Sequence, residues 1–329
     1  MREWDENKLD QELELLINEI PEQDEFEKRI EKYIHKRIRK IVYKTLAMMV
    51  AVAILLLALV NPLLRVSFID PTKMNENEIS VYFDVLRDYY ETTRPYAEIV
   101  SLDAESKGFA NYEVTMSVTN HRERLVVRRN NVSYNLNCGM IKNLNDPNLY
   151  LVNYMGKFDI YRYYDDAEWI KKKIDELRKL PESANIYISL YTAQPQAVME
   201  LRKENIHLEW VEVHQPNVEY RGGLSMALRA AQDKTDWRDK MSETELLDVY
   251  CKNLKNLLDH KEMWKELELP SATMIYQDLS VLQDTYEDAV NLTELKTERF
   301  TLYGEKQDMI EFLENIDIIS IQIDEITLY

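Results

Sequence analysis

Residues Thr45 to Leu64 read TLAMMVAVAILLLALVNPLL, twenty positions without a charge and with an unbroken apolar core from Leu46 to Val60. As a helix rising about 1.5 Å per residue, the stretch reaches roughly 30 Å, the thickness of a bilayer's hydrocarbon core. A core helix of a soluble protein normally keeps a polar stripe. This stretch has none, so it reads as a transmembrane helix over 45–64. Asn61-Pro62 falls at its far end and is expected to stop the helix.

The flanks give an orientation. Between Lys28 and Lys44 lie eight basic residues (Lys28, Arg29, Lys32, Lys36, Arg37, Arg39, Lys40 and Lys44) against the single acid Glu31. On the other side only Arg65 and Lys73 lie close. Positive charge stays on the cytoplasmic side, which predicts a cytoplasmic N-terminus and an extracytoplasmic C-terminus in the cell membrane. A cleaved signal peptide fits poorly. The region before the span is over forty residues long, and no small-x-small site follows the apolar run. The expectation is a single-pass signal anchor held in the lipid bilayer.

Charge narrows the partners. The chain of 329 residues has a formal net charge of −18. Residues 1–44 hold 10 of its 41 basic and 12 of its 59 acidic residues, which leaves 31 against 47, a net of −16, beyond the span. So acidic an outer region argues against nucleic acid and against electrostatic docking on anionic headgroups. Cys138 and Cys251 form one disulfide or remain two thiols; no framework spacing decides between them.

Residues 1–44 form a cytoplasmic amphipathic helical segment. Leu9, Leu13, Leu16, Ile17 and Ile20 recur at helical spacing on an otherwise charged stretch, ended by Pro21. A second helix is predicted from Asp24 into the span. So short a segment buries its own apolar stripe poorly. An acidic amphipathic helix of this kind suits a basic and apolar partner, or a second copy of itself.

Beyond the span the sequence predicts an α+β chain. A helix is expected from Asn75 to Tyr90, then a β-rich domain over 65–164. Tyr112, Val114, Met116 and Val118 alternate with polar residues, and Asn120-His121 breaks the pattern. Arg124–Arg129 and Val132–Asn137 read as two strands joined by an Asn130-Asn131 turn, and Leu149–Tyr164 as one or two more, in an antiparallel meander. A second domain, 165–329, opens with a helix from Asp165 to Leu180. It then shows two similar segments: strand Ile186–Leu190, helix Pro195–Arg202, strand Ile206–Val213; and strand Arg299–Leu302, helix Lys306–Leu313, strand Ile316–Ile326. Two such units predict a ferredoxin-like (βαβ)2 α/β domain, with adjacent parallel pairing inside each unit. Ser242–Leu267 and Ala272–Val290 are inserted helices, and 221–238 is a long polar connection.

Catalytic patterns are absent. His207 and His214 lie seven apart on or near one strand and so point to opposite faces. No HExxH, CxxC, Gly-x-Ser-x-Gly or phosphate-cradling glycine loop occurs among only six glycines. The expectation is no enzyme, no cofactor and no metal.

Several stretches together resemble the membrane-anchored sigma factor regulators of bacteria, which include anti-sigma factors for extracytoplasmic-function sigma factors. One is the basic juxtamembrane helix, single span and Asn61-Pro62, followed by TRPYAEIVSLDAESKGFANYEVTMSVTN from Thr93 to Asn120. Others are LPESANIYISL from Leu180 to Leu190, HLEWVEV from His207 to Val213, and Tyr303-Gly304 before KQDMIEFLENIDIISIQI. The resemblance implies that the cytoplasmic segment holds a sigma factor while the outer domains sense envelope stress. On that reading Leu9, Leu13, Leu16, Ile17 and Ile20 supply the apolar contacts, and Glu12, Glu14 and Glu19 face a basic sigma surface. A second small membrane protein is a further expected partner. The alternative is an extracytoplasmic scaffold that binds an envelope partner, with the N-terminus only an anchor.

Overall fold

The computed structural model describes residues 23–76, 78–93, 97–122, 125–142, 165–202, 205–218, 222–226, 238–264 and 279–328. The chain divides into two compact units, Met1–Leu63 and Leu64–Tyr329.

The first unit is built on helix α1, Gln23–Ser67. Its 45 residues make a rod of about 68 Å at 1.5 Å per residue. The apolar window within Ile30–Val60 is long enough to cross a membrane, and none of it is buried. Leu46, Ile54, Leu55 and Leu57 all stand exposed, which separates this helix from the core helix of a soluble domain.

The helix does not stop at Asn61-Pro62. It continues to Ser67. Pro62 removes one amide donor from the ladder, at a cost of about 3 kcal/mol. Ending the helix there would leave four carbonyls unpaired at the edge of the apolar stretch, which costs more.

The second unit contains two sheets. Strands β1 (Ala97–Gly108), β2 (Asn111–Arg122), β3 (Leu125–Asn137) and β4 (Met140–Lys142) form an antiparallel meander in chain order. The alternation read from β2 holds: Tyr112, Val114, Met116 and Val118 are buried, opposite Val132, Tyr134 and Leu136 of β3. Asn120-His121 is a bulge inside β2 rather than its end. The expected Asn130-Asn131 turn does not form. Those residues pair with Val118 and Ser117 in one continuous β3, because a partner strand in register outweighs local turn preference. Strand β1 carries no alternation in AEIVSLDAESKG to announce it; pairing with β2 makes it a strand. The strands expected in 149–164 lie outside the described residues.

Helix α2 runs from Val81 to Thr93, later than the expected start at Asn75. The Asn75 side chain accepts from the Ile79 amide at 3.0 Å and donates to Asp84 at 2.7 Å. Such local side-chain bonds hold the preceding residues in a turn. Helix α3, Ala167–Arg178, begins where expected, with Asp166 accepting from the Trp169 amide at 2.7 Å as its cap.

Strands β5 (Ala184–Ala197), β6 (Ile206–Glu212), β7 (Gly223–Ser225), β8 (Lys296–Glu305) and β9 (Ile318–Leu328) complete the second sheet, in the order β7-β6-β8-β5-β9. Every neighbouring pair is antiparallel. This corrects the expectation of adjacent parallel pairing. The two strand–helix–strand units interleave instead. β8 lies between β5 and β6, and β5 lies between β8 and β9, so each of these inner strands bonds antiparallel on both sides. The connection after β5 is shorter in helix than expected: α4 spans only Val198–Leu201, because β5 stays paired as far as Ala197. Residues 223–225, within the expected polar connection, form β7.

Helices α5 (Glu243–Asp259), α6 (Lys261–Trp264) and α7 (Leu279–Ala289) fall in the predicted insertion, and α8 (Lys306–Glu314) follows β8. A capping box, Ser242 with Glu245, starts α5. One contiguous apolar core runs from Tyr82, Leu86 and Tyr112 through Ile188, Val211 and Phe300.

Candidate functional site

The partner-binding residues expected from sequence, Leu9, Glu12, Leu13, Glu14, Leu16, Ile17, Glu19 and Ile20, lie outside the described residues. Within the described residues the densest buried polar chemistry gathers instead around α2, which packs against β1, β7, α5 and α6. Its buried positions are not confined to one stripe: Tyr82, Val85, Leu86, Asp88 and every residue from Tyr89 to Thr93 are buried. A helix enclosed on this many sides must satisfy its polar side chains inside the protein.

Glu91 does so with an ion pair to Arg238, each side chain only 4% exposed. Arg238 Nη1 donates to Glu91 Oε1, and Nη2 donates to Oε2 at 3.3 Å, the forked geometry in which guanidinium and carboxylate match best. The network continues outward. The Ser225 amide of β7 donates to Glu91 Oε1 at 3.3 Å, and Arg238 donates to the Ser225 carbonyl at 2.7 Å. Trp210 of β6 donates its indole N–H to the Glu91 carbonyl at 2.9 Å. Arg202 donates to the carbonyls of Arg238 and Met241 at 2.5 and 2.8 Å. The C-terminal end of α2 is thus clamped to the β6–β7 edge of the five-stranded sheet.

The Trp210 ring requires Gly223. A Cβ on that glycine would lie 1.7 Å from the ring's Cζ2, so only a residue without a side chain lets β7 pass beneath the indole.

One turn earlier, Asp88 is buried and accepts from Asn256 Nδ2 of α5 at 2.7 Å. Its pKa is pushed up to about 7. Desolvation is the main cause; the Asn256 bond and nearby Arg87 oppose it, while Glu91 and Asp84 add to it. Nearer the start of the helix, Tyr82 and Tyr134 share a buried hydroxyl bond of 2.8 Å, and burial raises the pKa of both phenols. Helix α2 is therefore bonded to the four-stranded sheet at one end and to the five-stranded sheet at the other.

The remaining sequence candidates are spread out. The His207 ring stacks on Tyr303 at 5.9 Å, and His214 lies 3.4 Å from Glu298. Glu212 pairs with Arg299, whose guanidinium sits 4.5 Å above the Tyr191 ring. Cys138 and Cys251 are both free. Among the described residues no group of three or more His, Cys, Asp or Glu is arranged to hold a metal ion.

Sequence reading does not single out Asp88, Glu91 or Arg238. An amphipathic pattern marks a helix with one wet face, and α2 has too little wet face for that pattern to sort its acids. The arrangement holds elements together and carries one carboxyl whose charge changes near neutral pH. Comparison with known protein families, curated proteins and solved structures found no match.

Proposed function

We propose that this chain is a membrane-anchored regulator that sequesters an extracytoplasmic-function sigma factor through residues 1–44 and responds to envelope state through its outer domains. The observation that carries the reading is the unbroken helix α1. It joins the basic stretch from Lys28 to Lys44, the apolar stretch and the first residues of the second unit in one helix. On this reading a stimulus at the outer end has a helical route through the apolar stretch as far as Gln23, next to the residues that carry the acidic, apolar-striped sequence.

The charge asymmetry across the span supports a cytoplasmic N-terminus in the cell membrane. Holding a sigma factor requires an interface that competes with polymerase and no catalytic group. The interleaved order β9-β5-β8-β6, flanked by β7, supports a ferredoxin-like reading of the five-stranded sheet. On this reading the clamp at Glu91 and Arg238 lets the two outer sheets respond together as a single body.

Capture of sigma factors by the full-length protein in detergent tests the proposal. The wild-type chain is expected to retain one extracytoplasmic-function sigma factor of its source organism. Leu13→Asp/Ile17→Asp should weaken capture by about 100-fold, since burying unpaired carboxylates costs a few kcal/mol. Equal capture by both proteins, or none by either, contradicts sequestration through this stripe and leaves the outer domains to act as a scaffold for an envelope partner.

A further inference from the structure

The turn end of the four-stranded sheet carries exposed apolar side chains where the chain leaves α1. The β1–β2 hairpin turns at Phe109-Ala110 and the β3–β4 hairpin at Cys138-Gly139, and both lie at the same end because Asn111 pairs with Asn137. The Cys138 amide donates to the Ala110 carbonyl at 2.9 Å, joining the two turns. A Cβ on Gly139 would lie 3.9 Å from Phe68 and 3.8 Å from Ile69, so the residues just past Ser67 pack on the same turns. Phe68 is 38% exposed, Phe109 49% and Met140 53%.

Two further features set this end apart. Phe109, Ala110 and Cys138 all adopt positive φ, at 53°, 54° and 49°. That conformation is costly for residues with a side chain, and most of all for a bulky one. Beside the tip Lys107 reaches both Glu105 at 2.8 Å and Glu113 at 3.1 Å, which leaves one net negative charge and no spare cation. What this end offers a lipid surface is apolar side chains, not a surplus of positive charge.

Chain connectivity keeps Phe68 close to the end of the apolar stretch. The Phe68 amide donates to the Leu64 carbonyl at 2.9 Å, so Phe68 lies one helical turn past the last apolar residue of the span. Four residues at 1.5 Å put it about 6 Å beyond Leu64. A headgroup layer is roughly 5–8 Å deep on each side of the hydrocarbon. We propose that Phe68, Phe109 and Met140 form a lipid-surface contact that seats the turn end of this sheet in the headgroup layer, through apolar insertion rather than charge. Aromatic and thioether side chains at that depth keep apolar bodies out of water. The inference rests on reading α1 as a membrane span.

Single-cysteine variants of the full-length protein, in a Cys138→Ser/Cys251→Ser background, test it. Met140→Cys, Val52→Cys and Asp284→Cys each carry an environment-sensitive fluorophore in phosphatidylcholine bilayers, with or without a lipid bearing a nitroxide near its headgroup or, for the Val52 probe, midway along its acyl chain. Matching thermal unfolding checks that each labelled protein is folded. The proposal expects the Val52 and Met140 probes to lose fluorescence to the nitroxide and the Asp284 probe to keep it. Added salt should change nothing, and Phe109→Asp should restore the Met140 signal. Quenching at Val52 without quenching at Met140 overturns the lipid contact and leaves the span intact. No quenching at Val52 overturns the span and the contact with it. Equal quenching at Met140 and Asp284, or quenching at Met140 that Phe109→Asp leaves unchanged, overturns a specific apolar seat.

Discussion

Gly223 and Asp88 show how single residues set the limits of this structure. Gly223→Ala forces a methyl group into the Trp210 ring, which is itself tied to Glu91 through its N–H. Overpacking of a fixed ring costs about 1–3 kcal/mol, so the melting temperature of the full-length protein should fall by several degrees. An unchanged melting temperature would mean that the indole moves freely. Asp88 acts through protons. Its folded pKa of about 7 lies above its ordinary value of 3.8, so between those limits the folded chain binds a proton that the unfolded chain lacks. This group's stabilising contribution is fully present below about pH 4 and is lost as pH rises through about 7. Asp88→Asn keeps the shape and removes the titration. The variant should be more stable than wild type at pH 8, and the difference should shrink by pH 5. Thermal melts at the two pH values check the sign, and a difference that grows towards acid would contradict it.

At the scale of elements, α2 is the helix least legible in the sequence and most informative in the structure. Its existence is readable from Ile79, Phe83, Leu86 and Tyr90, but its start is not, because the Asn75 side chain diverts the backbone into a turn. Strands with strict alternation, such as β2, are legible residue by residue. Strand β1 and the centre of β3 are not, because their pairing comes from neighbours distant in sequence. The βα segments of the second sheet are readable as elements, whereas their interleaved order depends on which edges meet. The clamp is invisible for a similar reason: Glu91 and Arg238 lie 147 residues apart. Its energetics are testable as a cycle. Glu91→Leu leaves Arg238 buried without its carboxylate and should cost about 3–5 kcal/mol. Adding Arg238→Met should recover a substantial share of that loss, measured by chemical unfolding of the full-length protein. Strictly additive losses would mean that the two side chains are not coupled.

For the whole molecule, the apolar span and its basic flank are plain in the sequence because both are runs of composition that need no tertiary partner. The structure extends the helix through Pro62 to Ser67 and gives the second unit a single core. On the proposed function, a helix long and apolar enough to cross a membrane, followed by a tightly bonded second unit, suits a device that reports across that membrane. The most direct test of the proposed sequestration is transcription from a promoter that depends on the sigma factor proposed as partner, measured in cells lacking this protein. Removal of the protein should raise transcription. Restoring the wild-type chain should silence it, and restoring the Leu13→Asp/Ile17→Asp chain at equal abundance should not. Transcription that is indifferent to the protein's presence, or silenced equally by both chains, would contradict the account.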